Sequence, residues 1–430
     1  MSGQNLTRAL PSRFVLAVTV GGVIGLGILR GPGEIAEIVT DPSLYLALWL
    51  FAGLFVLLST AVCAELVGMT PRSGGFYSLI RRAYGPYAGF VIGWADWLTY
   101  AADLALKAIV IIEFVAILFP ASAAWSTTLA IIVTTVFAVI QLRGIGLGAL
   151  IQEVATSLIG LVIFGLALLL FFVGAQENGA VSLMPADNSL RDWSLLLATI
   201  IFTYDGWLYA SYFSGEIRGG AGTVARSCIK GMVIVIALYM LLNLALVKSV
   251  GLASIAGSDL ALARALELAI HPAAGMVVVA AAILILLTHQ NLEYMSGPRI
   301  LQALAEDGFA ARRAQNISKG GNPVSAVLFT WLVSVGLILL GGFEFLLLFS
   351  VFLFVPLYLA LIIGILILRK REPEAERPYR AWGHPYSTIV CLVGWTIITL
   401  FQAYVERETA LYAVAMVAVS WPVYQYLARK

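Results

Sequence analysis

Charge is what this 430-residue sequence has least of: Asp, Glu, Lys and Arg make up 12% of it, against roughly a quarter in an ordinary soluble domain. With 61% hydrophobic residues and a mean hydropathy of +0.95, a soluble chain of this size could not bury its apolar surface. A cytoplasmic enzyme, a disordered chain and a fibrous protein are therefore excluded. Cysteine is scarce as well. Cys63, Cys228 and Cys391 all lie in or beside apolar stretches and are odd in number, so they read as small buried hydrophobes and no disulfide framework is expected. The three histidines, His271, His289 and His384, lie far apart, and there is no H-E-x-x-H, no paired histidine–carboxylate cluster and no G-x-S-x-G. No metal, cofactor or catalytic motif is expected. No loop exceeds about twenty residues, so no soluble catalytic or nucleotide-binding domain is expected, and nothing points to nucleic acid. Alternating ten-residue segments are missing too, which excludes a membrane β-barrel.

The sequence is instead a series of long apolar runs. A membrane helix needs about 20 apolar residues in a row, and hydropathy gives twelve spans: 13–38, 44–69, 86–118, 124–142, 147–174, 194–217, 224–250, 273–305, 324–342, 345–369, 386–405 and 409–427. Arg8 and Arg13 precede the first run as they would in a signal sequence, but it has no small-residue cleavage site, so it reads as a retained span. With both termini inside, 20 Lys and Arg fall on the cytoplasmic side, Arg429 and Lys430 among them. Four fall outside (Arg191, Lys248, Arg264, Arg407), and Arg30 and Lys107 lie within spans. That bias sets the expected orientation. The outer loop 251–270 has a helical pattern (Leu260, Leu262, Ala263, Leu266), suited to a helix lying on the outer face or to a gate.

Two spans carry sequences that a straight helix would not choose. The first holds Gly21, Gly22, Gly25 and Gly27, then Arg30-Gly31-Pro32-Gly33. Each glycine costs about 1 kcal/mol of helix propensity, and Pro32 removes another backbone bond. Small residues also serve close helix packing, but these glycines spread round the whole helix rather than along one stripe. Irregular backbone survives in lipid only where it lines a cavity, so unwinding is expected. The sixth span holds Phe202-Thr203-Tyr204-Asp205-Gly206-Trp207, and a mid-span aspartate is expensive unless it binds something. Two interrupted spans, five apart, are the sequence sign of an inverted-repeat secondary transporter. Amides at a half-helix start suit a carboxylate and carbonyls at a half-helix end suit an ammonium, which together match an α-amino acid.

At this point the chain resembles the amino acid–polyamine–organocation superfamily. Gly22, Ile24, Gly25, Gly27, Ile28, Pro32 and Gly33 match its first-span pattern. Ala64-Glu65-Leu66 with Pro71-Arg72-Ser73-Gly74-Gly75, then Tyr204-Asp205-Gly206-Trp207 with Glu216 and Arg218, and Gly297-Pro298-Arg299 with Ala305, Asp307 and Gly308 come after it in order. The sixth span is similar to the L-type amino acid transporter branch. The resemblance implies an all-α integral membrane protein of twelve transmembrane helices with the leucine-transporter fold. Its halves would be 1–174 (spans 1–5) and 194–369 (spans 6–10), a 5+5 inverted repeat, with two accessory spans in 386–430.

It implies further that the substrate carboxylate sits on the amides of Leu26 and Gly27 beside Gly25. The amino group would meet carbonyls near Val23, Ile24 and Phe202, and Phe202 would be an aromatic gate. Tyr204 belongs to the same segment, and Asp205 and Glu293 occupy positions that face the substrate side chain. Two acids there suit a cationic or diamine substrate; a structural Asp205 would leave the substrate neutral, and Arg30 weighs against a cation. Relatives often carry a fifth-span lysine in place of a sodium ion. Here Gln152-Glu153 is followed by Ile159 at the expected lysine position, and the span holds no lysine. The outer loop from Phe119 to Ser126 has no cysteine, so no disulfide-linked heavy chain is expected; a monomer or a homodimer is.

Other ionisable groups sit inside spans. Asp96, Tyr100, Asp103 and Lys107 fall within an arc of about 60° on one helix face, and Asp103 and Lys107 are spaced to pair. They read either as a packing pair or as a coupling network. In the eighth span His289 and Glu293 share a face, and Asn291 matches a family asparagine. Histidine titrates near neutrality, so His289 with Glu293 is the candidate proton linkage, a second substrate being the other coupling species; a packing histidine is the alternative. Glu65 reads as a cap or an inner-gate residue, and Glu153 has no assignment. The sequence thus points to a cell-membrane secondary transporter of cationic or neutral amino acids working by alternating access. A polyamine or uncoupled exchanger and a channel are the competing readings.

Overall fold

Apolar runs bounded by Pro, Gly and Asp become helices wherever the structure, a computed structural model, describes the chain: residues 10–173, 189–340, 343–405 and 407–428. Arg8, Arg429 and Lys430, counted in the charge bias, lie outside the described residues. The first predicted span is two helices, α1 (Ser12–Val23) and α2 (Leu26–Ile38). Then come α3 (Pro42–Met69), α4 (Gly75–Tyr84), α5 (Pro86–Leu118), α6 (Ser126–Leu142) and α7 (Ile145–Val173). The remainder are α8 (Leu190–Thr203), α9 (Ala221–Ser249), α10 (Ala261–Ala269), α11 (Gly275–Glu306), α12 (Val324–Leu340), α13 (Phe343–Arg371), α14 (Tyr386–Val405) and α15 (Arg407–Ala428). Among the described residues, strand-like pairing is limited to one bridge between Leu10 and Ile217.

Local signals explain the helix starts. Asp41 caps α3 by accepting from the Leu44 amide at 2.7 Å, with Pro42 in the first turn, where a missing N–H is harmless. Ser189 and Asp192 form a reciprocal capping box at the start of α8, which satisfies two otherwise orphaned donors. Helix α10 realises the helical pattern expected in the loop 251–270.

The sixth span departs from the expected extent: it does not run to 217 as a helix with a short break. Helix α8 stops at Thr203, the chain then turns, and a short 3₁₀ stretch covers Tyr209–Phe213 before α9 begins at Ala221. Gly206 stands at φ +94°, and Gly219 and Gly220 at +96° and +75°. These are left-handed positions that no α-helix can contain.

Helices α5 and α11 pack along each other at the centre, with α13 also on α5, α3 on α9, and α1 on α7 and α9. From Thr288 to Ala305 every residue of α11 is buried. Toward the periphery the pattern reverses: Leu161, Phe172, Ile397 and Leu400 are exposed, as apolar residues facing lipid tails would be. Among the described residues, seven helical stretches are long and apolar enough to cross a membrane. Helix α5, with Asp96, Asp103, Lys107 and Glu113, is not one of them. All three cysteines are free and buried.

Candidate functional site

Where α1 gives way to α2 the backbone leaves the helix for two residues, Ile24 at ψ 86° and Gly25 extended at φ −126° and ψ −155°. The first amides of α2, from Leu26 and Gly27, therefore begin a helix with no side-chain cap. Such N–H groups have no partner within their own helix and sit at the positive end of its dipole. The second interruption comes after Thr203, with Asp205 N–H bonded back to the Phe202 carbonyl at 3.2 Å.

The two interruptions touch. A Cβ on Gly27 would stand 2.5 Å from Thr203 Cα, and a Cβ on Gly206 would overlap the Gly22 carbonyl, so backbone lies against backbone where only glycine fits. Tyr239 on α9 bridges them, its hydroxyl donating to the Val23 carbonyl at 2.8 Å and lying 3.3 Å from the Thr203 carbonyl. His289 Nε2 lies 3.1 Å from the Ile24 carbonyl. The carbonyls of Val23, Ile24 and Phe202 thus each have one partner already, and each retains a second lone pair.

Beside this junction is a cavity lined by Asp96, Thr99, Tyr100 and Asp103 of α5, by Phe202, Asp205, Gly206, Leu208, Tyr209 and Tyr212, by Phe76 of α4 and by Tyr358 of α13. Tyr358 donates to Asp205 Oδ1, and the Tyr212 hydroxyl meets both Asp96 oxygens at 2.9 and 3.0 Å. Of the residues singled out from sequence, Asp96, Tyr100, Asp103, Phe202 and Asp205 line the cavity. Glu293 does not. It is fully buried, holds Lys107 through Oε1, and leaves Oε2 without a partner among the described residues. Lys107 also lies 3.6 Å from Asp103, so the expected pair is in fact a triad.

Other expected residues stand apart. Tyr204 is buried against Trp49 and Tyr239 and donates to the Trp49 carbonyl at 3.0 Å; the chain turns after Thr203 and carries its ring away from the cavity. Asn291 joins α11 to α6 and α7 through Gln141, Gly148 and Gln152. His289 and Glu293 share a face, but each engages a different partner, Ile24 and Lys107. Glu65 holds the end of α13 through Arg369, and the segment after it through Arg377 and the Ala381 amide. Glu153 pairs with Arg13 at 2.8 Å and Arg30 with Asp259 at 3.9 Å.

Sequence reasoning missed Phe76, Tyr209, Tyr212 and Tyr358 as cavity residues. The available signals were two tyrosines three apart after the interruption and a tyrosine two residues beyond Pro356 in an apolar run. A second cluster of polar groups lies by Leu10, whose amide donates to the Glu216 carbonyl at 3.0 Å. Arg299 and Glu216 pair at 2.6 Å with both side chains buried. Arg72 binds Asp307 and Glu306, each at 2.9 Å, and Tyr77 binds Asp307 at 2.6 Å. Burial works against the Arg72 charge, but the two carboxylates outweigh it and hold its pKa above the ordinary value.

The sequence of this chain is similar to that of several known proteins. A family profile described as "Amino acid permease" matches residues 14–422. A serine/threonine exchanger of Bacillus subtilis is 24% identical, covering 91% of this chain and 90% of the relative. A gamma-aminobutyric acid permease of the same organism is 25% identical over 94% and 90%. The human b(0,+)-type amino acid transporter 1 is 23% identical over 90% and 80%.

Proposed function

The chain belongs to the amino acid permease family, within the amino acid–polyamine–organocation superfamily, and we propose that it carries amino acids across the cell membrane by alternating access. In this reading the substrate carboxylate rests on the amides of Leu26 and Gly27, and the ammonium takes the remaining lone pairs of the Val23, Ile24 and Phe202 carbonyls with Asp205 close by. The observation that carries it is the contact of Gly27 with Thr203 and of Gly206 with Gly22. It puts a helix start and a helix end, the two polarities a zwitterion needs, at one place.

With α1 and α2 taken together and the short α4 and α10 set aside, twelve helical stretches remain; they support twelve crossings with both termini cytoplasmic, and the Lys and Arg distribution supports the orientation. Two halves, 1–174 and 194–369, are supported by a shared plan: each opens on an interrupted span and carries a short helix, α4 or α10, between its second and third spans. Residues 386–430 then form the accessory pair. Efflux counterflow in proteoliposomes tests the reading. An amino acid inside should accelerate entry of labelled amino acid several-fold; entry that ignores the internal solute would mean a channel.

His289 is the proposed point of proton linkage. Its ring nitrogen sits on a carbonyl freed by the first interruption, so a change in its protonation alters the segment that holds the substrate. Glu293, on the same face of α11 and engaged by Lys107, is the proposed partner in this linkage. His289→Gln is expected to flatten the pH profile of uptake; a profile identical to that of the parent protein would remove the assignment.

A further inference from the structure

We infer that the cavity beyond the two interruptions is a subsite for the terminal ammonium of a basic amino acid side chain. The inference rests on the reading above and deepens it, because the backbone end of the substrate is taken to lie at the junction and only the side chain enters the cavity.

Charge is the first observation. Asp96, Asp103 and Asp205 line one cavity, and fully buried Glu293 adjoins them through Lys107, which contacts both Asp103 and Glu293. Among the described residues Lys107 makes the only recorded ion pairs to these four carboxylates. Asp96 and Asp205 are held by tyrosine hydroxyls, which donate a hydrogen bond but bring no positive charge. Glu293 Oε2, wholly buried, has no partner among the described residues. A buried carboxylate without a counter-charge is costly, and in the cavity itself Asp96 and Asp205 have tyrosine partners but no recorded ion pair among the described residues, so an incoming ammonium would bring the positive charge they lack.

The second observation is independent of charge. The walls between the carboxylates are aromatic. Tyr100 stands edge-on to Tyr212 at 5.2 Å and to Tyr209 at 5.7 Å, and Phe76 lies 5.7 Å from Tyr212 and 5.9 Å from Tyr358. Ring faces attract an ammonium through their quadrupole and accept the methylenes that lead to it. A neutral hydrophilic side chain gains little from such walls, and an acidic one is repelled by the carboxylates.

Shape agrees with both. Asp205 belongs to the interruption itself and Phe202 to the last turn of α8 before it, Asp103 lines the same cavity from α5, and Asp96 lies two turns further along the same helix face. At 1.5 Å per residue the two aspartates of α5 are about 10 Å apart along its axis. The lining of the cavity therefore reaches from Asp205 and Asp103 to the Asp96–Tyr212 pair. That pair is the proposed seat of the distal ammonium, with Asp205 and Asp103 along the path.

The test uses the full chain in proteoliposomes, with labelled lysine, ornithine, alanine and serine. Lysine and ornithine are expected to be taken up with lower KM than alanine or serine. In Asp96→Asn the KM for lysine should rise about tenfold more than that for alanine, as expected on removal of one charged partner. Tyr212→Phe, which keeps the ring, should shift the same ratio in the same direction. Ligand-induced thermal stabilisation of the parent protein in detergent should rank lysine above alanine, and needs no variant to fold. If neutral amino acids are carried while lysine and ornithine neither enter nor compete, or if the lysine-to-alanine ratio is unchanged in both variants, the subsite is overturned and the amino acid carrier stands. If no amino acid of any class is carried, the carrier reading falls and the subsite with it.

Discussion

Lys107→Met is expected to destabilise the folded protein by about 3–5 kcal/mol, the loss associated with breaking a buried ion pair from one side. Glu293 is fully buried and Lys107 is its only recorded partner among the described residues. Removing the ammonium leaves a fully buried carboxylate without its counter-charge. The reverse change is milder, because in Glu293→Gln the ammonium keeps Asp103 at 3.6 Å. The double variant Lys107→Met with Glu293→Gln removes both charges and should recover most of the loss. Thermal unfolding of the three purified variants in detergent checks the order: the methionine variant lowest, the double variant well above it. A double variant as unstable as Lys107→Met would mean that the pair matters for its shape rather than its charge.

The second large effect falls on the junction. Gly206→Ala forces a side chain onto a residue at φ +94°, a strain of about 1–3 kcal/mol, and its new methyl overlaps the Gly22 carbonyl. Gly27→Ala makes the same collision from the other side, 2.5 Å from Thr203 Cα. Either change must push the two interrupted segments apart, so uptake should be lost while helical content by circular dichroism is retained. Gly165→Ala in α7 is the control, since nothing lies within 4 Å of its would-be methyl; its uptake should match the parent protein. Normal uptake in both Gly206→Ala and Gly27→Ala would show that the close approach is not needed for transport.

Hydropathy alone locates the helices well because a membrane span is specified by a single property, length of apolar run. The stretch 86–118 has the same ends in the hydropathy profile as α5 has in the fold, since Pro86 and the change at Phe119 mark them in the sequence. The interruptions at Gly25 and Asp205 are visible for a related reason: glycine and charge in mid-span have few explanations. The segment after Thr203 is less legible. Trp207, Tyr209, Tyr212 and Phe213 suit a buried helix as well as a packed turn, so residue type alone does not separate a half-helix from the turns and 3₁₀ stretch that form.

Partners across the bundle are hidden as well. Periodicity puts Lys107 beside Asp103 on one helix, but the stronger contact, with Glu293, joins residues 186 apart in sequence. The same limit explains Tyr204 and Tyr358. The first looks like a site residue by adjacency to Asp205 and packs behind it; the second lies in an apolar run of α13 and reaches Asp205 from across the cavity.

If the start of α2 and the end of α8 together hold a zwitterion, both ends of the substrate are required at once. Inhibition of alanine counterflow by alanine itself, by ethylamine and by propionate separates the possibilities in one assay. Alanine should compete, while the amine, which lacks the carboxylate for Leu26 and Gly27, and the acid, which lacks the ammonium for the facing carbonyls, should each be weaker by about a hundredfold or more, the loss of at least one charge-assisted contact. Competition by ethylamine or propionate as strong as that by alanine would contradict recognition of the amino acid backbone at this junction.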